Sequence, residues 1–363
     1  MRYINLTILA FAFLCVLPGT VHTRGAGNEW KKLNSEAIEL QRVGNYDRAV
    51  LTAKKALRVA EENVGPNHPD VAESLNNLGL LYDIQGEYSK AEMLYKRALA
   101  IWEEKLGPDH PNVAAGLNNL AELYRIQNDF TTAESFYKRS LIISEKAFGP
   151  NHPEIATNLN NLAVLYEAQG EYSKAEPLYK RSLAIWEEKF GPNHPGVATN
   201  LNNLAELYRN QRDFAKAEPL YKRSLVIWEK TLGPTHPDVA TSLNNLATLY
   251  NSKGEYSKAE PIYMRSLAIR EEKLGSTHPD VATSLNNLAE FYRNQREFAK
   301  AEPLYKRSLA ILEEKLGPDH PNVATGLNNL AELYKAQNRD HEAAVLKRRA
   351  AEIYSRLKGP AKK

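Results

Sequence analysis

The apolar residues of this chain recur at helical intervals inside a frame that repeats at a fixed step. Val71, Leu75, Leu78 and Tyr82 advance by four, three and four, which places them on one stripe of a helix. Ala91, Tyr95, Ala98 and Trp102 form a second stripe shortly afterwards. Gly86 lies between the two as a helix stop, and Ser89 with Glu92 is expected to form a capping box opening the second helix. Thr131 with Glu134, Ser173 with Glu176 and Ser257 with Glu260 keep that spacing. The pattern predicts one helical hairpin per repeat, with a first helix of about 16 residues and a second of about 19, roughly 24 and 28 Å long.

The punctuation between hairpins is equally regular. Gly-Pro-x-His-Pro starts at Gly65, Gly107, Gly149, Gly191, Gly233 and Gly317, and a copy at Gly275 lacks only its first proline; every step is 42 residues. The glycine is expected to end the preceding helix in a left-handed conformation. The first proline blocks continuation, and the second takes the first turn of the next helix, where a missing N–H costs nothing. Leu-Asn-Asn-Leu follows seven times, from Leu75–Leu78 to Leu327–Leu330. Columns of small residues, Ala49 to Ala343 and Gly79 to Ala331, allow close helix approach, with Tyr82 to Tyr334 filling the gaps beside them. A lone hairpin cannot bury its stripe, so neighbours must share a continuous core. The expected fold class is all-α, a right-handed superhelical solenoid of about eight antiparallel helix pairs.

The string Leu-Asn-Asn-Leu-Ala-x-Leu-Tyr, then Ala-Glu-Pro-Leu-Tyr-Lys-Arg-Ser-Leu, then Leu-Gly-Pro-x-His-Pro-x-Val-Ala resembles the tetratricopeptide repeat. The 42-residue step resembles its kinesin light chain type, over residues 30–357. Kinesin light chains begin with heptads that join a motor heavy chain; here an apolar segment stands instead, so only the repeat architecture is expected to carry over. The first unit, Trp30 to Val64, lacks Leu-Asn-Asn-Leu, and the last has Asp340 and Lys347 where earlier units have aromatic residues, as solubilising end caps would. Units with Gly-Glu-Tyr-Ser (from Gly86, Gly170 and Gly254) alternate with units carrying Phe130, Phe214 and Phe298. This implies duplication of a two-hairpin unit and a surface chemistry that repeats every second hairpin.

Composition changes this picture little. Lys plus Arg is 47 against 44 for Asp plus Glu, a net charge of +3 that gives no nucleic-acid footprint. The N-terminus adds more. Arg2, an apolar run from Leu6 to Leu17 interrupted by Thr7, and the break at Pro18 and Gly19 read as a secretory signal peptide. The expected layout is a signal peptide over 1–23 (cut between 19 and 27), a linker over 24–29, the repeat array over 30–357 and a basic tail over 358–363. The expected location is extracytoplasmic; a tether through an uncleaved segment is the alternative. Cys15 is the only cysteine, so a cleaved chain would have neither disulfides nor thiol chemistry.

Candidate chemistry is sparse. His68, His110, His152, His194, His236, His278 and His320 all lie in the turns, one hairpin apart, roughly 10 Å by helix-packing distances and too far to share a metal. A structural use at the helix start is expected, with no metal and no cofactor. Trp102, Trp186 and Trp228 continue a core stripe. The Lys-Arg pairs from Lys96 and Arg97 onward read as a solvated mixed-charge face. Glu122, Glu206, Glu290 and Glu332 each have a base three positions on, an ion-pair spacing that argues against catalytic acids. Phosphate loops, nucleophile elbows and His-Glu-x-x-His are absent, so no enzymatic activity is expected.

Protein or peptide binding remains, with oligomeric state open and membrane contact limited to the export signal. Opposite the Val71 stripe, Asn76 recurs as Asn118, Asn160, Asn202, Asn244, Asn286 and Asn328, which are expected on the inner wall, while Asn77 to Asn329 sit at the border with the core. An amide offers both donor and acceptor to an extended backbone. The resemblance implies that same use of inner-wall asparagines. Arg125, Arg209 and Arg293, two hairpins apart, would select acidic side chains. The competing class is a structural component of an extracytoplasmic assembly, held by its outer face or ends.

Overall fold

The computed structural model describes residues 25–357; the apolar N-terminal segment, Cys15 and the basic tail lie outside them. Sixteen helices and no strand occur among the described residues. They fall into two runs of four pairs. The first run holds α1 (Gly27–Arg42), α2 (Tyr46–Val64), α3 (Pro69–Ile84), α4 (Tyr88–Leu106), α5 (Pro111–Ile126), α6 (Phe130–Phe148), α7 (Pro153–Ala168) and α8 (Tyr172–Phe190). The second holds α9 (Pro195–Asn210), α10 (Phe214–Leu232), α11 (Pro237–Lys253), α12 (Tyr256–Leu274), α13 (Pro279–Asn294), α14 (Phe298–Leu316), α15 (Pro321–Ala336) and α16 (Asp340–Leu357). The typical first helix has 16 residues and its partner 19, as the periodicity predicts. No helix among the described residues is long and apolar enough to cross a membrane.

The turns explain the histidines. His68, His110, His152, His194, His236, His278 and His320 each sit at the N-cap, and the imidazole Nδ1 accepts the backbone N–H two residues on, at 3.1 Å for His68 and 3.0 Å for His194. The ring therefore does the work usually given to Ser or Asp, satisfying one of the otherwise orphaned N–H groups of the helix start. The glycine before it differs from expectation. Gly107 has φ 91° and ψ 156°, an extended positive-φ conformation open essentially to glycine alone, rather than the left-handed helical one.

The capping boxes do not form. Helix α4 starts at Tyr88 behind Glu87, so Ser89 is already inside it, and α12 likewise starts ahead of Ser257. In α6 the cap is Asp129, which accepts from the Thr132 N–H at 3.2 Å. The glutamates of those motifs bind elsewhere. Glu92 accepts from the Tyr124 hydroxyl at 2.8 Å, Glu134 from Tyr166 at 2.8 Å and Glu260 from Tyr292 at 2.7 Å, each tying a first helix to the second helix of the preceding pair.

Core packing follows the small-residue columns. Ala91, Ala133, Ala217 and Ala301 are fully buried, as are Ala121, Ala205 and Ala289. Within a pair, Ser140 donates to the Ala114 carbonyl and Ser224 to that of Ala198, so the buried hydroxyls join the two helices rather than stand unsatisfied. Trp102 is in the core, while Trp186 and Trp228 pack half-buried against it.

Candidate functional site

In each run the first helices of successive pairs touch one another: α1 with α3, α3 with α5 and α5 with α7; then α9 with α11, α11 with α13 and α13 with α15. Second helices are spanned by long side chains instead. Arg97 reaches Glu61 at 2.8 Å, Arg139 reaches Glu103 at 2.6 Å and Arg265 reaches Glu229 at 2.7 Å. First helices thus form the closely spaced, inner wall of each run. The Lys-Arg pairs turn out to be divided: the lysine holds a glutamate four residues back, as Lys96 does Glu92, and the arginine bridges to the previous unit.

The two asparagine columns exchange places relative to expectation. Asn76, Asn118, Asn160, Asn202, Asn244 and Asn286 are between 2 and 9% exposed, and only Asn328 is half-buried. Asn77, Asn119, Asn203, Asn245, Asn287 and Asn329, read as the border set, are the more accessible ones; Asn161 alone is buried. A wheel drawn for one hairpin treats everything opposite its core stripe as solvent. Each first helix also packs against the first helix of the next pair, and the first asparagine lies in that seam. There the amides pair across repeats: Asn119 donates to Asn76 at 2.8 Å, Asn161 to Asn118 at 3.1 Å and Asn329 to Asn286 at 2.8 Å. At two seams of the second run this ladder is open. Asn202 donates to Ser242 at 2.9 Å, and the buried Oδ1 atoms of Asn202 and Asn244 have no partner among the described residues. Asn245 and Asn287, on the accessible side of those seams, make no side-chain hydrogen bond among the described residues.

The three arginines lie on the wall but are not equivalent. Arg125 grips Glu122 with two bonds, Nε to Oε2 at 2.7 Å and Nη2 to Oε1 at 2.5 Å, and the Tyr137 hydroxyl donates to the same carboxylate at 2.8 Å. Arg209, Glu206 and Tyr221 repeat that arrangement, with Nε to Oε2 at 3.0 Å and the tyrosine at 2.6 Å. Burial pushes the Glu206 carboxyl up, but Arg209 and the two hydrogen bonds outweigh it and hold the group below its usual range. At the third site Arg293 makes one long bond to Glu290, at 3.5 Å, and another to Asn294 at 3.4 Å, and the buried Tyr305 hydroxyl has no partner among the described residues. Burial there prevails and raises the Glu290 carboxyl. The fourth spacing pair fails: Glu332 is bound by Lys347 at 2.7 Å rather than by Lys335.

Arg125, Arg209 and Arg293 share one wall position, three residues before the stop of the first helix, and the residues that hold it in the other units were not singled out in the sequence. The position holds Asp83, Arg125 and Glu167 in the first run and Arg209, Asn251, Arg293 and Lys335 in the second. Asp83 is the one under strain. Its Oδ1 is buried without a partner among the described residues, and burial with Glu122 nearby pushes its carboxyl up to about 7 against the pull of Arg125. Also missed was a cleft of about 610 Å³ in the second run, lined by Glu290, Arg293, Arg296, Asn328, Glu332 and Tyr354 among others. Among the described residues no group of three or more histidine, cysteine or acidic side chains is placed to hold a metal ion.

The inner wall, the paired helices and the buried alanine columns recur with the register of one known repeat. A tetratricopeptide repeat model matches residues 36–104, 85–141, 113–188, 154–225, 197–272 and 280–356. The chain belongs to the tetratricopeptide repeat family. Similar solved structures of such repeats include BtubC (BKLC) from P. vanneervenii, at 25% identity and a TM-score of 0.50, covering 69% of this chain and 94% of that one. A Podosopora anserina protein described as a kinesin light chain with nearly identical TPR-like repeats is also 25% identical, with a TM-score of 0.46, covering 56% and 97%. A Rap protein complexed with competence and sporulation factor shares the fold at 16% identity and a TM-score of 0.58, covering 91% and 99%. No curated protein matches the chain.

Proposed function

We propose that this tetratricopeptide array is a non-enzymatic scaffold that holds an extended peptide or partner protein along the wall of its first helices. The observation that carries this reading is the pair of half-buried amides of Asn245 and Asn287 on adjacent repeats, unpaired among the described residues, beside the two seams whose Asn202 and Asn244 acceptors are also unpaired there. Amides spaced by one repeat, roughly 10 Å, can bond N–H and C=O groups about three residues apart on an extended chain whatever its side chains. In this reading the first asparagine column supports the wall and the second meets the partner. The Rap protein of the same fold, seen in complex with a factor, is in keeping with it.

The test is capture of the partner from the native compartment by the full chain and by the double variant Asn245→Ala, Asn287→Ala. Two lost neutral hydrogen bonds should weaken binding about five- to a hundredfold, with the melting temperature nearly unchanged. Full-strength capture by the variant would move the interface to the outer face. That second reading, a structural component held from outside, is favoured by the exposed apolar side chains of Met93, Ile142, Val226 and Met264 on second helices. Export belongs to the same proposal: protein purified from its host should begin between residues 20 and 28 and lie outside the cytoplasm. Intact Met1 on cytoplasmic protein would sink it.

A further inference from the structure

Each first helix from α3 to α15 begins on a titratable cap. The imidazole Nδ1 of His110 accepts from the Asn112 N–H at 3.1 Å, that of His194 from Gly196 at 3.0 Å and that of His320 from Asn322 at 3.0 Å. Only a neutral ring can do this. Once protonated, Nδ1 becomes a donor, the N–H beneath it loses its acceptor, and a cation stands at the positive end of the helix dipole.

The caps fall into two classes by what stands two residues on. His68, His236 and His278 are followed by Asp70, Asp238 and Asp280, whose carboxylates lie 3.7, 3.4 and 3.9 Å from the ring nitrogen. There a protonated ring finds a new acceptor and its charge is met. His110, His194 and His320 are followed by Asn112, Gly196 and Asn322, which carry no charge. The acids that precede two of them are engaged, Asp109 by Lys146 and Asp319 by Arg356. His320 is 6% exposed, so a charge there is also cut off from water. Burial holds the His110 and His194 rings below the ordinary histidine value. His152 lies between the classes: Glu154 follows it, but burial pushes that carboxyl up, while burial and Lys189 push the ring down.

We infer that the array is acid-sensitive at particular units: as pH falls through the histidine range, α5, α9 and α15 lose their caps and fray from the start, while α3, α11 and α13 are held by their aspartates. Because first helices form the wall, acid loosens it at those units whatever partner it carries. A histidine whose folded value lies below its unfolded one binds fewer protons folded than unfolded. The stability it gives is whole above about pH 6.5 and is lost as pH falls through the folded value.

Buried carboxylates act in the opposite sense over the same window. Glu73 and Asp83, both pushed up to about 7, take up protons and steady the first run as pH falls, against the loss at α5. Burial raises Asp238 on α11 and Glu290 on α13 as well, although the buried Arg270 faces Asp238 and Asp280. Glu206 on α9 and Glu332 on α15 are held below their usual range and stay charged, so these two helices report the caps.

Hydrogen exchange of the full chain at about pH 7.5 and about pH 5, corrected for the intrinsic rate, reads each helix separately. The first-turn amides of α9 and α15 should lose about three- to thirtyfold in protection, those of α5 less, and those of α3, α11 and α13 little. His194→Ser gives α9 a cap that does not titrate and should abolish its loss while leaving that of α15. Asn322→Asp, nearly isosteric, gives His320 the carboxylate that His68 has; it should abolish most of the loss in α15 and move the titration of that ring, followed by NMR, to higher pH. Equal protection of α9 and α15 at both pH values in the unaltered chain overturns the inference. A loss spread evenly over all seven first helices, or one that persists in α9 of His194→Ser, also overturns it, since either places the titration on other groups.

Discussion

The inner walls of the two runs are built on one backbone frame yet differ in what they leave unpaired. In the first run, the asparagine seams at Asn76 and Asn118 are closed by Asn119 and Asn161, and Asp83 and Glu167 flank Arg125 along the wall. In the second, the seams at Asn202 and Asn244 are open, and the equivalent positions carry Arg209, Asn251, Arg293 and Lys335 with no carboxylate among them. A repeat frame therefore separates two tasks. The alanines, tyrosines and histidine caps that fix the stack are nearly invariant from unit to unit, while a few wall positions decide whether polar groups satisfy each other or remain available to a partner. The second run is the one whose wall is available.

The sharpest way to break this comparison is through Asp83. A carboxyl pushed up to about 7 by burial binds a proton in the folded state that it has lost in the unfolded one at the same pH. Its cost to the first run is therefore fully present above pH 7 and disappears as pH falls toward the ordinary carboxylate range. Asp83→Asn should stabilise α3 to α6 at pH 8 by about 1–3 kcal/mol and have little effect near pH 4, read by hydrogen exchange of those helices. A loss of stability at pH 8 would show instead that the charged carboxylate is held by Arg125.

The closed and open triads give a second test. Tyr137→Phe removes the hydrogen bond to Glu122, at 2.8 Å in a buried setting, and should cost about 1–2 kcal/mol. Tyr305→Phe removes a buried hydroxyl that has no partner and should be neutral or slightly stabilising. Equal costs in thermal melts would mean that the Tyr305 hydroxyl is bonded in solution and the third triad closed.

Much of the fold was legible because local signals repeat. Gly-Pro-x-His-Pro fixes the end of each second helix and the start of the next first helix, and the turn at Gly86 and its equivalents separates the two, so helix lengths followed from the 42-residue frame. What failed were inferences that needed a neighbour. Ser89 looked like a cap because serine and glutamate have the right spacing, but the helix is capped two residues sooner, at Glu87, and the Tyr124 hydroxyl claims Glu92. Asn76 looked accessible because a wheel knows one hairpin and not the seam with the next. The ion pairs of Arg125 and Arg209 could be read from spacing. The opening at Arg293 could not, since α9 and α13 carry the same Glu-x-x-Arg, with Leu207 and Phe291 differing inside it.

The smallest expected effect separates wall chemistry from frame geometry. Within each hairpin the turn needs one residue at positive φ, and Gly86, Gly170 and Gly254 supply it at 74°, 75° and 76°. Arg212 holds the same place at φ 62°, where a Cβ crowds its own carbonyl at about 1 kcal/mol or more. The side chain is exposed and makes no ion pair among the described residues, so replacing it removes strain without removing a contact. Glycine's greater freedom in the unfolded chain offsets part of that gain. Arg212→Gly should therefore stabilise the second run by about 0.5–1 kcal/mol in thermal melts, with peptide binding unchanged. Arg296→Gly relieves the same strain at φ 63° and should stabilise equally. A gain in both variants assigns the turn to the frame; a loss of stability in Arg212→Gly would mean that the arginine holds a contact the fold depends on.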